Sequence, residues 1–279
     1  MNHCTWTKPI SSSSIFLGIL MFAAIACASS PRKPLPHPII LSYFWPVEKG
    51  SHDFHNWNMD TPNVIDILSD PEHGNEEVRQ YWSNKGKILL NRVYPLKFKG
   101  QPGLLYDQFA ENMKKADGVS VDELLDTGLS RSEIAAFIDV LRKVRENYPD
   151  KYIFVWGGAV WSDDGVALLR AIRDYADIFI PELYISEQAQ GWSPIIKARV
   201  EKMEKQAPGI LRKTLFGMGI FGKMGNLGAQ SFRDHMATQI RFFKTDPLLR
   251  ELPGIAIIAP SYLPKEDQKY LDNLIKLNY

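Results

Sequence analysis

The sequence predicts a single-domain (β/α)8 barrel, or TIM barrel, preceded by an export signal. Short apolar runs of strand type alternate along the chain with amphipathic stretches of helical period, and eight such runs can be counted. The 279-residue chain is also 45% hydrophobic. The part that follows the export signal, about 250 residues, can therefore bury the core of one barrel.

The strands are predicted from apolar runs bounded by polar or turn residues, which suit parallel strands that are buried on both faces. They are residues 39–45, 64–69, 88–94, 118–123, 152–156, 178–184, 215–221 and 255–262. The second run is the weakest of the eight. Without it seven strands remain, and a doubly wound open sheet is the alternative fold.

The helices are predicted between these runs, where apolar residues recur at helical spacing. They are residues 76–84, 105–115, 130–148, 165–175, 195–206, 231–243 and 265–276. The third begins with a capping box, because Ser130 stands three residues before Glu133. The glycines of residues 217–222 match the spacing of a dinucleotide-binding loop. This motif lies late in the chain and opens no helix directly, so a glycine-rich strand and loop are favoured.

The N-terminal segment has the pattern of an export signal, with Lys8 ahead of an apolar run over residues 15–26. That run is shorter than the roughly 20 residues of a membrane-spanning helix. Residues 1–28 are assigned to the signal, residues 29–37 to a proline-rich linker and residues 38–279 to the barrel. The protein is thus expected to be secreted or anchored to a membrane at the cell surface or in the periplasm.

The residues around Cys27 bear on whether the protein is secreted or anchored to a membrane. The run Ala24-Ile25-Ala26-Cys27 resembles a bacterial lipobox, which implies that Cys27 is the first mature residue and carries a lipid. Cleavage after Ala26 or Ala28 without lipid remains the alternative. Cys4 lies inside the signal, so no intramolecular disulfide is expected in the mature protein, and its stability must come from packing.

Several functional classes are disfavoured by composition and motif. The 33 basic residues nearly balance the 32 acidic ones, without a long basic run, so nucleic acid is not an expected partner. His52, Asp53 and His55 lack the spacing of a recognised metal motif, and no metal site or cofactor is predicted. The sequence also has no Gly-x-Ser-x-Gly elbow for a serine nucleophile.

Two predicted strands end on carboxylates: the fourth on Asp122 and Glu123, and the sixth on Glu182. Acids at such positions cost desolvation energy unless they are solvated, paired or used in chemistry. All strands of a parallel barrel end at one rim, where these barrels keep their catalytic groups. Glu182 and either Asp122 or Glu123 are therefore predicted to face one cleft. Alternation places Ser120 and Asp122 on one face of the strand, with Glu123 at its turn, and leaves the choice of acid open.

Enzymes that cleave glycosidic bonds use a pair of carboxyl groups. One protonates the leaving oxygen, and the other acts as the nucleophile or activates water. The alternative roles are structural. Asp122 or Glu123 would then cap a helix or pin a loop, and Glu182 would pair with a cation such as Arg92.

Residues suited to sugar binding recur at the same strand ends. Aromatic rings with a polar edge fit both the apolar faces and the hydroxyl groups of sugars. The predicted substrate-binding residues are Tyr43, Trp45, Arg92, Tyr94, Trp156, Tyr184 and Tyr262. Trp57, on the long loop after the first strand, is expected to form a wall of the cleft.

Two stretches carry a family resemblance. The run Asp117-Gly118-Val119-Ser120-Val121-Asp122-Glu123 resembles the fourth strand of spherulin-4-like and endo-α-1,4-polygalactosaminidase-like barrels, and residues 176–182 resemble a later strand of that group which ends in an acid. The first run is more distantly similar to the DGxDxDxE strand of chitinase-like barrels. There Leu124 stands at the position of the general acid, and Ser120 replaces an aspartate. The resemblance implies a glycoside-hydrolase-like barrel and does not imply chitinase activity.

The predicted function is hydrolysis of O-glycosyl bonds in a polysaccharide or oligosaccharide through a carboxylate pair, without a cofactor. The alternative is a non-catalytic carbohydrate-binding surface protein or lipoprotein that keeps the aromatic rim. A separation of roughly 5–10 Å between the acids across an open cleft favours the hydrolase. Burial of either acid against Arg or Lys favours the binding protein.

Overall fold

Strands and helices alternate in the computed structural model of the chain as the sequence predicts. The structure describes residues 32–43, 57–67, 75–124, 129–158, 165–183, 194–218, 231–258, 260 and 263–279. These residues belong to one compact unit, Arg32–Tyr279. The predicted export signal and Cys27 lie outside the described residues.

Each predicted strand and helix has a counterpart in the structure. The strands are β1 Ile39–Tyr43, β2 Val64–Ile67, β3 Ile88–Val93, β4 Gly118–Leu124, β5 Tyr152–Gly157, β6 Ile178–Pro181, β7 Phe216–Met218 and β8 Gly254–Ile258. The α-helices are α1 Asn75–Asn84, α2 Pro102–Lys115, α3 Arg131–Asn147, α4 Gly165–Tyr175, α5 Pro194–Gln206, α6 Phe232–Thr245 and α7 Lys265–Asn278. Short 3-10 helices cover Pro95–Phe98 and Ile210–Lys213.

The eight strands form one parallel sheet that closes on itself. Its order is β6-β5-β4-β3-β2-β1-β8-β7, so that β1 lies between β2 and the last strand of the chain. Phe179 and Thr214 bridge β6 to the start of β7, and the Leu215 N–H donates to the Phe179 carbonyl at 3.0 Å. The barrel and its weakest predicted strand are therefore confirmed, and the doubly wound sheet is wrong.

The strand registers stack the inward-facing residues in layers. When the paired residues are followed from strand to strand once around the barrel, the path returns to β1 eight residues before the residue at which it began. This offset is the shear number of eight that is typical of the fold. Residues of alternate strands then share one height. The top layer contains Asp122, Glu182 and Ile258; the middle layer contains Tyr43, Arg92, Trp156 and Gly217; the third layer contains Asp66, Ser120, Ile180 and Ala256.

The outward-facing residues pack under the surrounding helices. Val119 and Val121 of β4 belong to an apolar cluster that includes Phe137 and Leu141 of α3. Leu124 packs in the same cluster, although strict alternation from Val121 would turn it to the other face. The register of β4 against β5 shifts between these two residues. The end of β4 thus carries a bulge of the kind that re-aims side chains beside active sites.

The start of α3 has the predicted capping box. The Ser130 hydroxyl accepts from the Glu133 N–H at 3.3 Å, and the Glu133 carboxylate accepts from the Ser130 N–H at 2.7 Å. This reciprocal pair satisfies two backbone donors that a helix start leaves open. Within the described ranges, no helix combines the length and apolar character required to cross a bilayer.

Candidate active site

Side chains from three strands meet at the carboxylate of Asp122. Asp122 lies in the mouth of the barrel and is 6% exposed. The Tyr43 hydroxyl donates to its Oδ2 at 2.5 Å, and Nε of Arg92 lies 3.9 Å from the same oxygen. The Arg92 guanidinium also stacks over the Tyr43 ring, 3.6 Å from its centroid. These contacts from β1 and β3 fix the orientation of the Asp122 carboxylate.

A second carboxylate, Asp66, lies one inward position deeper and was missed by the sequence analysis. Its Oδ1 accepts from Nε of Arg92 at 3.0 Å, and both side chains are completely buried. One guanidinium nitrogen thus lies between Asp66 and Asp122. The signal for Asp66 was an acid at an inward position of the apolar β2 segment Val64–Ile67.

Burial dominates the electrostatics of this cluster. It raises the pKa of Asp66 to about 6, because desolvation of the carboxylate outweighs the opposing effects of Arg92 and Ser120. Burial also raises the pKa of the Tyr43 hydroxyl, against the influence of Arg92. For Arg92, burial favours loss of the proton, but Asp66 and the other neighbours prevail and raise its pKa. Arg92 is therefore a permanent cation inside the barrel.

The raised pKa of Asp66 predicts a specific dependence of stability on pH. The unfolded value is 3.8 and the folded value about 6, so the favourable contribution is fully present below pH 3.8 and is lost as the pH rises through 6. The loss approaches about 3 kcal/mol. Asp66→Asn abolishes this titration, so the variant does not lose this contribution as the pH rises. The difference in unfolding free energy, variant minus wild type, should therefore increase by this amount between about pH 4 and pH 7. Urea unfolding at a series of pH values measures the difference, and a flat difference contradicts the prediction.

Trp156 of β5 forms the side of the cluster next to Asp122. Its Nε1–H donates to the Ser120 hydroxyl at 2.9 Å, and its ring meets that of Tyr43 edge to face, with 5.2 Å between centroids. Trp156 is only 2% exposed. It supports the floor of the mouth and offers little of its ring to a ligand.

Glu182 follows β6 directly and stands at the height of Asp122. Its N–H donates to the Gly157 carbonyl at 3.1 Å, which continues the pairing of β5 with β6 beyond Pro181. Ile180, two residues earlier, packs in the barrel interior, so Glu182 occupies the next inward position. Glu182 is half-buried. Asp122 and Glu182 are thus adjacent members of the top layer, from strands on either side of β5.

The other predicted site residues divide into two groups. Tyr94 follows β3, and its hydroxyl accepts from Nη1 of Arg92 at 3.4 Å. Trp45, Tyr184, Tyr262 and the side chain of Glu123 lie outside the part of the chain that the structure describes.

The expectation that Trp57 forms a wall of the cleft was wrong. Its ring is buried edge to face against Trp82 of α1, with 5.3 Å between centroids, and packs in the outer apolar layer.

Metal ligands are not grouped in the described portion of the chain, where no cluster of three or more His, Cys, Asp or Glu side chains could hold an ion. Among the described residues, the top layer of the mouth contains the carboxyl groups of Asp122 and Glu182, above the buried guanidinium of Arg92. Such an arrangement can transfer protons and stabilise positive charge on a bound substrate.

Solved structures share this architecture, whereas no protein-family model and no curated protein matches the sequence. A GH18 chitinase from Pseudoalteromonas aurantia superposes with a TM-score of 0.64 at 15% identity, over 86% of this chain and 100% of that one. An endo-beta-N-acetylglucosaminidase from Cordyceps militaris gives 0.62 at 12% identity, over 86% and 90%. A psychrophilic glycoside hydrolase family 10 endo-beta-1,4-xylanase gives 0.55 at 8% identity, over 85% and 96%. The chain therefore has the barrel fold found in glycoside hydrolases.

Proposed function

We propose that this protein is a glycoside hydrolase that cleaves O-glycosyl bonds of a polysaccharide or oligosaccharide. The observation that carries the proposal is the placement of Asp122 and Glu182 as adjacent members of the top layer of the barrel. The three similar structures are named as enzymes that act on glycans, which supports the same class of substrate here.

Strand spacing makes the distance between these two acids suitable. Neighbouring strands lie about 4.8 Å apart, so the backbones of β4 and β6 are separated by about 10 Å. Inward-facing side chains converge toward the barrel axis, which shortens the distance between the carboxyl groups. We therefore expect the distance between the carboxyl groups to lie within the range of about 5–9.5 Å that covers the retaining and inverting mechanisms.

The contacts of each acid suggest its role. Asp122 accepts a hydrogen bond from Tyr43 and lies beside Arg92, which suits a nucleophile or a base that activates water. Glu182 is half-buried at the strand end, where it can reach the leaving oxygen of a glycan in the mouth. We assign the general acid to Glu182 and the second carboxylate role to Asp122, with Glu123 as the alternative acid from β4.

The resemblance to the spherulin-4 and endo-α-1,4-polygalactosaminidase group gives the first substrates to test. Its support is the run of residues 117–123 together with Glu182 at the end of β6. A hydrolysis screen of α-1,4-linked galactosaminoglycans, chitin oligosaccharides and xylan with the mature domain tests the proposed function. Release of reducing ends from any of them supports it, and failure on a broad set of glycans contradicts it.

A non-catalytic carbohydrate-binding protein is the second candidate, and one observation favours it. Asp122 is buried beside Arg92 and bound by Tyr43, as a structural acid would be. A glycan array with the same mature domain separates the two functions. Binding without hydrolysis of the bound glycan supports the second candidate.

We also propose that the protein is exported and carries a lipid on Cys27. The support is the sequence alone: Lys8, the apolar run of residues 15–26 and the lipobox-like residues before Cys27. Mass spectrometry of the mature N-terminus in the native host should find a lipid-bearing Cys27. An unmodified N-terminus after Ala26 or Ala28 would indicate free secretion, and an intact Met1 would contradict export by this signal.

A further inference from the structure

Arg92 is shared unequally between two carboxylates of the barrel interior. Its Nε lies 3.0 Å from Oδ1 of Asp66 and 3.9 Å from Oδ2 of Asp122. The shorter contact is a hydrogen bond, whereas the longer one is beyond hydrogen-bond distance. Asp66 therefore holds the guanidinium nitrogen that would otherwise be available to Asp122.

Asp66 cannot act on a substrate itself. It is completely buried beneath the layer that contains Arg92, and its Oδ2 has no hydrogen-bond partner among the described residues. A buried acid with an unpaired oxygen costs free energy. Buried ionisable groups with a perturbed pKa are concentrated at functional sites, and Asp66 lies directly below the proposed one.

We propose that Asp66 is a positioning residue, which keeps Nε of Arg92 beyond hydrogen-bond distance of Asp122 and so preserves the orientation in which the Asp122 carboxylate reacts. This inference rests on the proposed function, because it assigns a role at the same site. When Asp66 is neutral, Nε of Arg92 moves onto Asp122 Oδ2. A direct charged hydrogen bond then withdraws electron density from the reacting carboxylate and turns it away from the substrate.

Protonation of Asp66 produces the same change in the wild type. Burial places its pKa near 6, so acidification neutralises it within the stable range of many proteins. Among the described residues, Arg92 of β3 and Ser120 and Asp122 of β4 act on its charge. Tyr43 of β1 and Tyr94 after β3 also interact with it electrostatically. Arg92 is in turn faced by Tyr43 of β1 and by Tyr94 after β3. Among these groups Arg92 remains charged, so loss of the negative charge on Asp66 weakens its hold on Nε of Arg92.

Crystal structures of the full barrel test the displacement without any substrate. Asp66→Asn at about pH 8 is expected to bring Arg92 Nε from 3.9 Å to about 3.0 Å from Asp122 Oδ2. The wild type at about pH 5 should show the same shift. Asp272→Asn is the matched control, since Asp272 is also buried but binds Thr61 and Lys276, and it should leave Arg92 in place. An unmoved Arg92 in Asp66→Asn overturns the proposal, whether or not the protein is an enzyme.

Kinetics on a glycan that the wild type cleaves provide the second readout. Asp66→Asn should lower kcat by about 10–100-fold with little change in KM, because the reacting group is misplaced while the glycan surface is intact. Asp272→Asn should leave both constants near the wild-type values. An unchanged kcat in Asp66→Asn overturns the positioning role. If the wild type cleaves no glycan, the proposed function fails, and the crystallographic comparison still decides whether Asp66 controls Arg92.

Discussion

Glu182→Gln should abolish most of the catalytic activity while the protein still binds its glycan. The substitution keeps the shape of the side chain and removes the proton that a general acid delivers, a contribution typically worth about 10²–10⁴ in rate. On a glycan that the wild type cleaves, kcat should fall by this factor with KM little changed, since proton transfer acts in the transition state. Steady-state kinetics and calorimetric binding of the same oligosaccharide measure the two effects.

Glu204→Gln is the control for this substitution. Glu204 lies on α5, and its carboxylate accepts from the N–H groups of Gly209 and Leu211, so its role is structural. The control should retain the wild-type kcat. Full turnover by Glu182→Gln would exclude Glu182 from the catalytic pair. Loss of activity in both variants would point to instability in place of lost proton transfer.

The alternation of element types was sufficient to predict the fold. Each predicted strand has an observed counterpart, because buried parallel strands require continuous apolar runs and their covering helices require a 3.6-residue period. Strand ends were less accurate. The run of residues 178–184 contains β6, Ile178–Pro181, and Glu182 and Leu183 follow it outside the strand. Composition alone gives no signal for the end of pairing. Residues 219–221 of the seventh run lie outside the described residues.

The sequence located the acids of the rim but not the network beneath them. Alternation correctly turned Ser120 and Asp122 inward, as the contacts of Trp156 and Tyr43 with them show. The bulge at the end of β4 depends on pairing with β5, so no local pattern could reveal it. Asp66 was missed because its strand has four residues and was the weakest of the eight. The acid at an inward position of this strand was a weak signal, and only the register, which places it beside Arg92, shows its partner.

Depth within the barrel also required the structure. Arg92 and Trp156 are at strand ends in the sequence, which suggested contact with substrate. The shear of the barrel places them one layer below Asp122 and Glu182, and both are buried. Their position suits support of the reacting groups, whereas the sequence pattern alone cannot distinguish a rim residue from the layer under it.

Removal of one partner from the buried pair of Asp66 and Arg92 should strongly destabilise the barrel. Arg92→Met keeps much of the side-chain volume but removes the cation that lowers the pKa of Asp66, so near neutral pH the buried Asp66 must either stay charged without its partner or take up a proton. Removal of one partner from a buried ion pair typically costs about 3–5 kcal/mol, because the remaining ion keeps its desolvation penalty. Urea unfolding near pH 7.5, where Asp66 is ionised in the wild type, should show a loss of this size.

The double variant Asp66→Leu, Arg92→Met separates the charge effect from the loss of packing. Apolar residues of similar volume in place of a buried ion pair are often neutral or stabilising, so the second substitution should restore most of the lost free energy. Asp122 keeps its hydrogen bond from Tyr43 in this variant, and the mouth retains an anchored acid. If the double variant is as unstable as Arg92→Met, the cost lies in the stacking of Arg92 on Tyr43. In that case, loss of the partner of Asp66 is not the cause of the lower unfolding free energy.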